Sequence, residues 1–110
     1  MTVQELASGL GLTVFHLAEP ERPVTGGYAG DLLSWVLGRA GRDAAWLTIM
    51  SNQNVAAVAL MAEVSCVVLT EGVNPDGELL LRAQEKGVNL LGTGLDTFSA
   101  ASRLAGALTP

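Results

Sequence analysis

The chain has 110 residues, of which 49% are hydrophobic and 15% charged, and its formal net charge is −5 at pH 7. That length suits one domain, and the apolar share excludes a disordered segment while leaving enough for a filled core and an exposed patch besides. The six basic residues, Arg22, Arg39, Arg42, Arg82, Lys86 and Arg103, are scattered along an acidic chain, which excludes the cationic stripe that a nucleic-acid backbone requires.

Thr2-Val3-Gln4-Glu5 is the pattern of a capping box, in which the threonine hydroxyl and the glutamate carboxylate each take up a free amide of the first turn. It predicts a short helix that stops near Gly9 or Gly11. Residues 12–17 (LTVFHL) have the β-branched and aromatic content of a strand, and the proline-flanked run from Glu19 to Pro23 ends it. Thr25-Gly26-Gly27 reads as a loop. Leu32, Leu33, Trp35, Val36 and Leu37 then supply a helical face closed by Gly38 and Gly41, and residues 46–50 read as a second strand. Ser51-Asn52-Gln53-Asn54 offers N-cap chemistry to a helix over 55–62 that is apolar on every side, and such a helix is expected to be covered on both faces.

Residues 66–70 (CVVLT) form the continuous β-branched run of a strand buried in a parallel sheet. In the next helix Asn74 is the expected cap, Pro75 the first position, and Lys86 with Gly87 the close. A last strand is expected over 88–91, and Asp96 caps a final helix through Phe98, Leu104 and Leu108. Strands alternating with helices of this length predict a three-layer α/β/α domain with a mostly parallel central sheet of four to five strands, and a single domain spanning 1–110. The longest apolar stretch, 55–69, is broken by Glu63 and Ser65 and is shorter than the roughly 20 residues of a membrane span. With a lone cysteine, Cys66, and no basic-then-apolar leader, the expectation is a reduced, cytoplasmic protein with no membrane attachment.

In parallel sheets ligands bind at the carboxyl ends of the strands, where helix N-termini present free amides. Polar and small residues collect at the expected junctions: Ser51-Asn52-Gln53-Asn54, Thr70-Glu71-Gly72, and Thr93 between Gly92 and Gly94. Thr25-Gly26-Gly27-Tyr28 joins them as a loop that another backbone or a phosphate could approach closely. Capping and turn geometry ask for the same residue types, but four consecutive polar residues at 51–54 exceed the needs of one cap. The loop at Gly26 is no Walker motif, since the sole lysine, Lys86, lies far downstream, and Gly92-Thr93-Gly94 lacks the third glycine of a dinucleotide fingerprint. His16 falls within the first strand and Cys66 opens a buried one, so both read as packing, and together they are too few for a zinc site. Glu71 and Asp96 both fall at this edge, where together they could form an acid/base pair, although carboxylates in loops and caps are far commoner than catalytic ones. No catalytic set, metal site or cofactor is expected.

The run from Thr25 to Ser34 (TGGYAGDLLS), the segment 47–58, Thr70-Glu71-Gly72 and Thr93 resemble the DRTGG domain family, over nearly the whole chain. The resemblance implies a fold similar to the N-terminal domain of HPr kinase/phosphorylase and a stand-alone bacterial member of a family whose larger proteins do their chemistry in another domain. Many stand-alone relatives have a histidine where this chain has Asn52, so the resemblance implies no histidine mechanism here. Together these readings point to a regulatory or ligand-sensing domain contacting a small phosphorylated or nucleotide-like molecule through Thr25 to Tyr28, Ser51 to Asn54, Thr70 to Gly72 and Thr93. The apolar surplus, chiefly Trp35 and the helix after Asn54, predicts a homodimer. The alternatives are a protein-interaction scaffold without a small ligand and an enzyme built on Glu71 or Asp96.

Overall fold

The computed structural model describes residues 1–109. Five helices and five strands follow in the order α1 (Val3–Leu10), β1 (Thr13–His16), β2 (Gly26–Ala29), α2 (Leu33–Arg39), β3 (Ala44–Thr48), α3 (Asn54–Met61), β4 (Cys66–Leu69), α4 (Gly77–Lys86), β5 (Leu90–Gly92) and α5 (Thr97–Leu108). The strands form one sheet in the order β1-β5-β4-β3-β2. Strands β2 to β5 are parallel, and β1 pairs antiparallel with β5 through a register shift between Val14 and His16.

Side chains alternate across the sheet, so each strand feeds two cores. Trp46, Val67, Leu69 and Leu90 point to one face, where Val36 of α2, Val55 and Ala59 of α3, and Leu79 and Ala83 of α4 meet them. Ala45, Leu47, Cys66, Val68 and Leu91 point to the other, against Val3 and Leu6 of α1 and Ala100 and Leu104 of α5. Burying each such Val or Leu contributes roughly 1.5–3 kcal/mol. The α/β/α architecture, with a mostly parallel sheet within the expected four to five strands, is thus present, and one of its strands falls where the sequence reads as a loop.

That strand is β2. Gly26–Ala29 is not a loop: it pairs with β3 from Gly26↔Ala44 to Ala29↔Leu47. Its sequence, GGYA, has little intrinsic strand preference, and tertiary pairing overrides it. Two further expectations differ. Helix α4 begins at Gly77 behind Asp76, not behind Asn74, because the Asp76 amide donates to the Ser51 carbonyl at 3.0 Å and holds Asp76 extended at φ −61°, ψ 154°. Helix α3 is covered on one face only: Val55, Ala56, Val58 and Ala59 are buried, while Ala57, Leu60 and Met61 face outward, Met61 at 72% exposure. The capping box at Thr2 forms as expected, with Glu5 Oε1 accepting the Thr2 amide at 2.8 Å and Thr2 Oγ1 accepting the Glu5 amide at 3.1 Å.

Candidate functional site

Because β2 to β5 are parallel, their carboxyl ends share a rim formed by the loops 30–32, 49–53, 70–76 and 93–96. Helix α4 leaves β4 for one face and α5 leaves β5 for the other, which makes the gap between these two strands the crevice where an α/β sheet ordinarily holds its ligand. Here the loops close it. The Glu71 amide donates to the Leu95 carbonyl at 2.8 Å and the Gly72 amide to the Thr93 carbonyl at 3.0 Å. The Thr70 and Thr97 hydroxyls share a hydrogen bond of 2.7 Å, and the Glu71 carboxylate accepts the Thr97 amide at 2.9 Å. The first turn of α5, whose amides would otherwise face an anion, therefore already holds a carboxylate. Glu71 and Gly72 adopt positive φ in succession, 62° and 71°, and this doubles the loop back onto α5. Asp96 accepts the Ser99 amide at 3.3 Å, the cap expected from its position.

Between β3 and β4 the rim is looser. Ser51 Oγ donates to Asp76 Oδ1 at 3.2 Å and Asn52 Oδ1 accepts the Asn54 amide at 2.9 Å, so these two serve the turn. Gln53 and Asn54 are exposed, and no hydrogen bond among the described residues engages their side-chain amides. From them a groove of about 320 Å³ runs between α3 and α4, floored by Ala56, Ala57, Leu60 and Met61 and flanked by Arg82 and Lys86. Glu85, at 2.8 Å, braces the Arg82 guanidinium. Neither cation was singled out from the sequence, although both fall on the same helix at a spacing that places them on one side.

Asp31 is a further residue the sequence did not mark: one carboxylate oxygen accepts both the Thr48 hydroxyl at 2.8 Å and the Ile49 amide at 3.0 Å, tying the end of β2 to the end of β3. An acidic residue just ahead of a helix was the available signal.

The four residues Thr25, Gly26, Gly27 and Tyr28 do not join this rim. Thr25 precedes β2, at the amino end of the strands, where its amide bonds the Asp43 carbonyl at 3.0 Å and its hydroxyl the Arg42 carbonyl at 3.3 Å. Tyr28 lies opposite Trp46 within the sheet. The reason for glycine at 27 is packing, since a Cβ there would stand 2.6 Å from Leu104 Cδ2. Of the twelve residues expected to line one pocket, Ser51, Asn52, Gln53, Asn54, Thr70, Glu71, Gly72 and Thr93 share a rim, and the other four stand away from it.

A wider cleft lies on the opposite, amino rim: about 730 Å³, bordered by Arg22, Arg42, Asp43, Glu63 and Asn89. Its walls are fastened. The buried Asn89 side chain accepts the Ala18 and Glu19 amides at 2.9 and 2.8 Å and donates to the Glu19 and Ser65 carbonyls at 2.9 and 3.0 Å. Arg22 reaches Asp43 at 3.2 Å, Glu19 at 3.3 Å and the Glu63 carbonyl at 2.8 Å.

The groups with reactive potential lie apart. His16 is half-buried in β1, and Cys66 is buried, its thiol pushed up to about 12 by burial against a smaller opposing hydrogen bond from Ser65. Among the described residues no three His, Cys, Asp or Glu side chains are grouped to hold a metal, and no helix is long and apolar enough to cross a membrane.

Residues 36–107 match the family model described as the DRTGG domain. The span includes Ser51 to Asn54, Thr70 to Gly72, Thr93, Arg82 and Lys86, and begins downstream of the Thr25 segment. In structure the chain is similar to the CBS and DRTGG domains of the regulatory region of Clostridium perfringens pyrophosphatase, solved in complex with its activator, diadenosine tetraphosphate, with a TM-score of 0.76 at 16% identity. The likeness, one of fold at that identity, covers 99% of this chain and 47% of that one, so the chain spans about half the length of its structural relative. By the family match over well more than half its length, this chain belongs to the DRTGG domain family.

Proposed function

We propose that this chain is a regulatory, ligand-sensing domain that carries out no reaction itself and binds a small phosphorylated or nucleotide-like molecule where Ser51 to Asn54 open into the groove between α3 and α4. The observation that carries this reading is the contrast in hydrogen bonding along the carboxyl rim: the Gln53 and Asn54 side chains make no hydrogen bond among the described residues, whereas Thr70, Glu71 and Thr93 are engaged within the loops. The apolar floor suits a planar ring, and Arg82 and Lys86 suit the phosphates attached to it. Likeness to a regulatory region crystallised with a dinucleotide activator supports a nucleotide as the first ligand to try. Glu71 and Asp96 serve in this reading as caps of α5, which leaves little support for an enzyme built on them.

A thermal-shift panel of adenine mono- and dinucleotides, sugar phosphates and acyl phosphates tests it. A ligand at a hundred times its Kd adds about 2.7 kcal/mol, a rise of roughly 10 °C or more for a domain of this size. Neutralising both cations, Arg82→Gln with Lys86→Gln, should abolish the rise, while the loss of two exposed ion pairs to Glu78 and Glu85 lowers the unliganded melting temperature only slightly. No response from any member of the panel would overturn the small-ligand reading in favour of a protein-interaction scaffold, which the outward face of Ala57, Leu60 and Met61 favours.

A further inference from the structure

The groove between α3 and α4 has two unlike ends. Both helices run from the carboxyl rim to the amino rim, because each leads out of a strand of the parallel sheet and back towards the start of the next. Gln53 and Asn54 therefore stand at the carboxyl end of the groove, and Lys86, in the last turn of α4, stands at its amino end. From Asn54 to Met61 the helical rise covers about 10 Å.

The carboxyl end is not made for an anion. The first amides of α3 already donate within the turn: Asn54 to Asn52 Oδ1 at 2.9 Å, Val55 to the Asn52 carbonyl at 3.1 Å and Ala56 to the Gln53 carbonyl at 3.2 Å. What remains is a pair of neutral side-chain amides, each with donors beside an acceptor. That pattern complements the edge of a base, as when Asn or Gln pairs with adenine.

At the amino end positive charge is scarce. Arg82 is shared by Glu85 at 2.8 Å and Glu78 at 4.0 Å, whereas Lys86 enters no ion pair among the described residues. Beyond Lys86 the groove opens into the amino-rim cleft, since Leu60 borders both and Gly87 lines the cleft. There the carboxylates of Glu19, Glu21, Asp43 and Glu63 outnumber the guanidinium groups of Arg22 and Arg42, and each guanidinium already has a carboxylate partner. A phosphate at Lys86 meets a counter-charge, but a second or third phosphate chained to it meets a surplus of like charge.

We propose that the groove selects a nucleoside monophosphate against nucleotides with longer phosphate chains, the base at Gln53 and Asn54 and the one phosphate at Lys86. This selection rests on the groove being the ligand site, as proposed above. Size agrees with it: about 320 Å³ lies near the lower end of the range for ligand pockets, roughly 300–1,000 Å³, and suits one nucleoside better than two. The discrimination comes from repulsion of the wrong ligand. It should therefore weaken as salt screens the cleft.

Calorimetric titration of the full chain in metal-free buffer of low ionic strength tests it, with adenosine mono-, di- and triphosphate and ribose 5-phosphate as the probes. The monophosphate is expected to bind tightest and the triphosphate about tenfold more weakly, with the gap narrowing in about 0.5 M salt. Glu21→Gln with Glu63→Gln, both exposed, is expected to strengthen triphosphate binding severalfold and leave the monophosphate unchanged. Lys86→Gln is expected to weaken all three nucleotides. Should the double glutamate variant fold poorly, the salt dependence decides. Triphosphate binding as tight as that of the monophosphate, or a gap indifferent to salt, would overturn the selection and leave the groove a nucleotide site. Binding of ribose 5-phosphate alone would overturn the nucleotide and keep a phosphate site. Silence from all four probes would overturn the selection, and the wider thermal-shift panel then decides separately whether any small ligand binds.

Discussion

The two rims of the sheet bear similar polar residues and put them to opposite ends. On the carboxyl rim the loops are short, and their side chains reach the next stretch of main chain: Asp31 to Ile49, Asn52 to Asn54, Glu71 to Thr97. Such bonds draw neighbouring loops together, and the crevice between β4 and β5 is closed. On the amino rim the return from β1 to β2 is longer, and the Asn89 amide and the Arg22 guanidinium act as spacers that hold it off the turns after α2 and α3. A cleft of about 730 Å³ remains. Residue type therefore says little about whether a loop residue meets a ligand. What separates a fastener from a free contact is whether its hydrogen-bonding capacity is already used, and at Gln53 and Asn54 it is not.

Asn89 gives the sharpest way to break the comparison. Its side chain is buried and makes four hydrogen bonds to main-chain groups of two other segments. Asn89→Ala leaves those groups without partners, at a cost of about 3 kcal/mol, which should lower the melting temperature by more than about 10 °C. Denaturant titration with an unchanged slope would confirm a loss of stability, as opposed to a change in the denatured chain. A loss below about 1 kcal/mol would mean that water replaces the amide, and that the amino rim is an open site instead of a braced joint.

The glycines around Thr93 sharpen the comparison on the other rim, with a smaller effect. Both read as flexible punctuation in the sequence, yet the surroundings differ. A Cβ at Gly92 would lie 2.5 Å from Phe15 Cε2, whereas at Gly94 nothing stands within 4 Å, and neither residue has positive φ. Gly92→Ala is expected to cost roughly 1–3 kcal/mol by overpacking. Gly94→Ala should be neutral, or stabilising by about 0.5 kcal/mol through the unfolded chain. Equal effects at the two positions would show that Phe15 yields freely and that Gly92 is there for the turn.

Much of the fold was legible because burial is written in periodicity. The uniform run at 66–69 matches one environment, a strand buried on both faces, and it appears where expected, as does the close of α4 at Lys86 and Gly87. Strand β2 was hidden because Gly-Gly-Tyr-Ala has no pattern of its own; its conformation comes from four residue pairs in register with β3 that no local signal records. That omission misplaced Thr25, because a loop read as following a strand actually precedes one. The start of α4 was misread for a related reason: Asn-Pro is a fair helix opening locally, and only the Ser51 carbonyl, distant in sequence, holds Asp76 extended. The rim at 51–54 could be found from its excess of polar residues over capping needs. Arg82 and Lys86 could not, since their relevance depends on α3 and α4 lying side by side.

The smallest expected effect concerns the capping box, a fastener of the same kind as Glu71 but fully in solvent. The Thr2 amide, and to a lesser degree its hydroxyl and the charge of the chain terminus, hold the Glu5 carboxyl below its ordinary value of 4.5. A depressed carboxylate contributes stability that is complete above its unfolded value and is lost as the pH falls through the folded one. Other carboxylates titrate over the same range, so the informative quantity is the difference between the wild type and Glu5→Gln, which keeps an acceptor and removes the charge. The melting temperatures should differ by a small constant amount at neutral pH and converge as the pH falls below 4.5. A gap that persists well below that value would mean that the amide, not the charge, secures the first turn of α1, and solvent-exposed caps in this fold would then be fasteners by geometry alone.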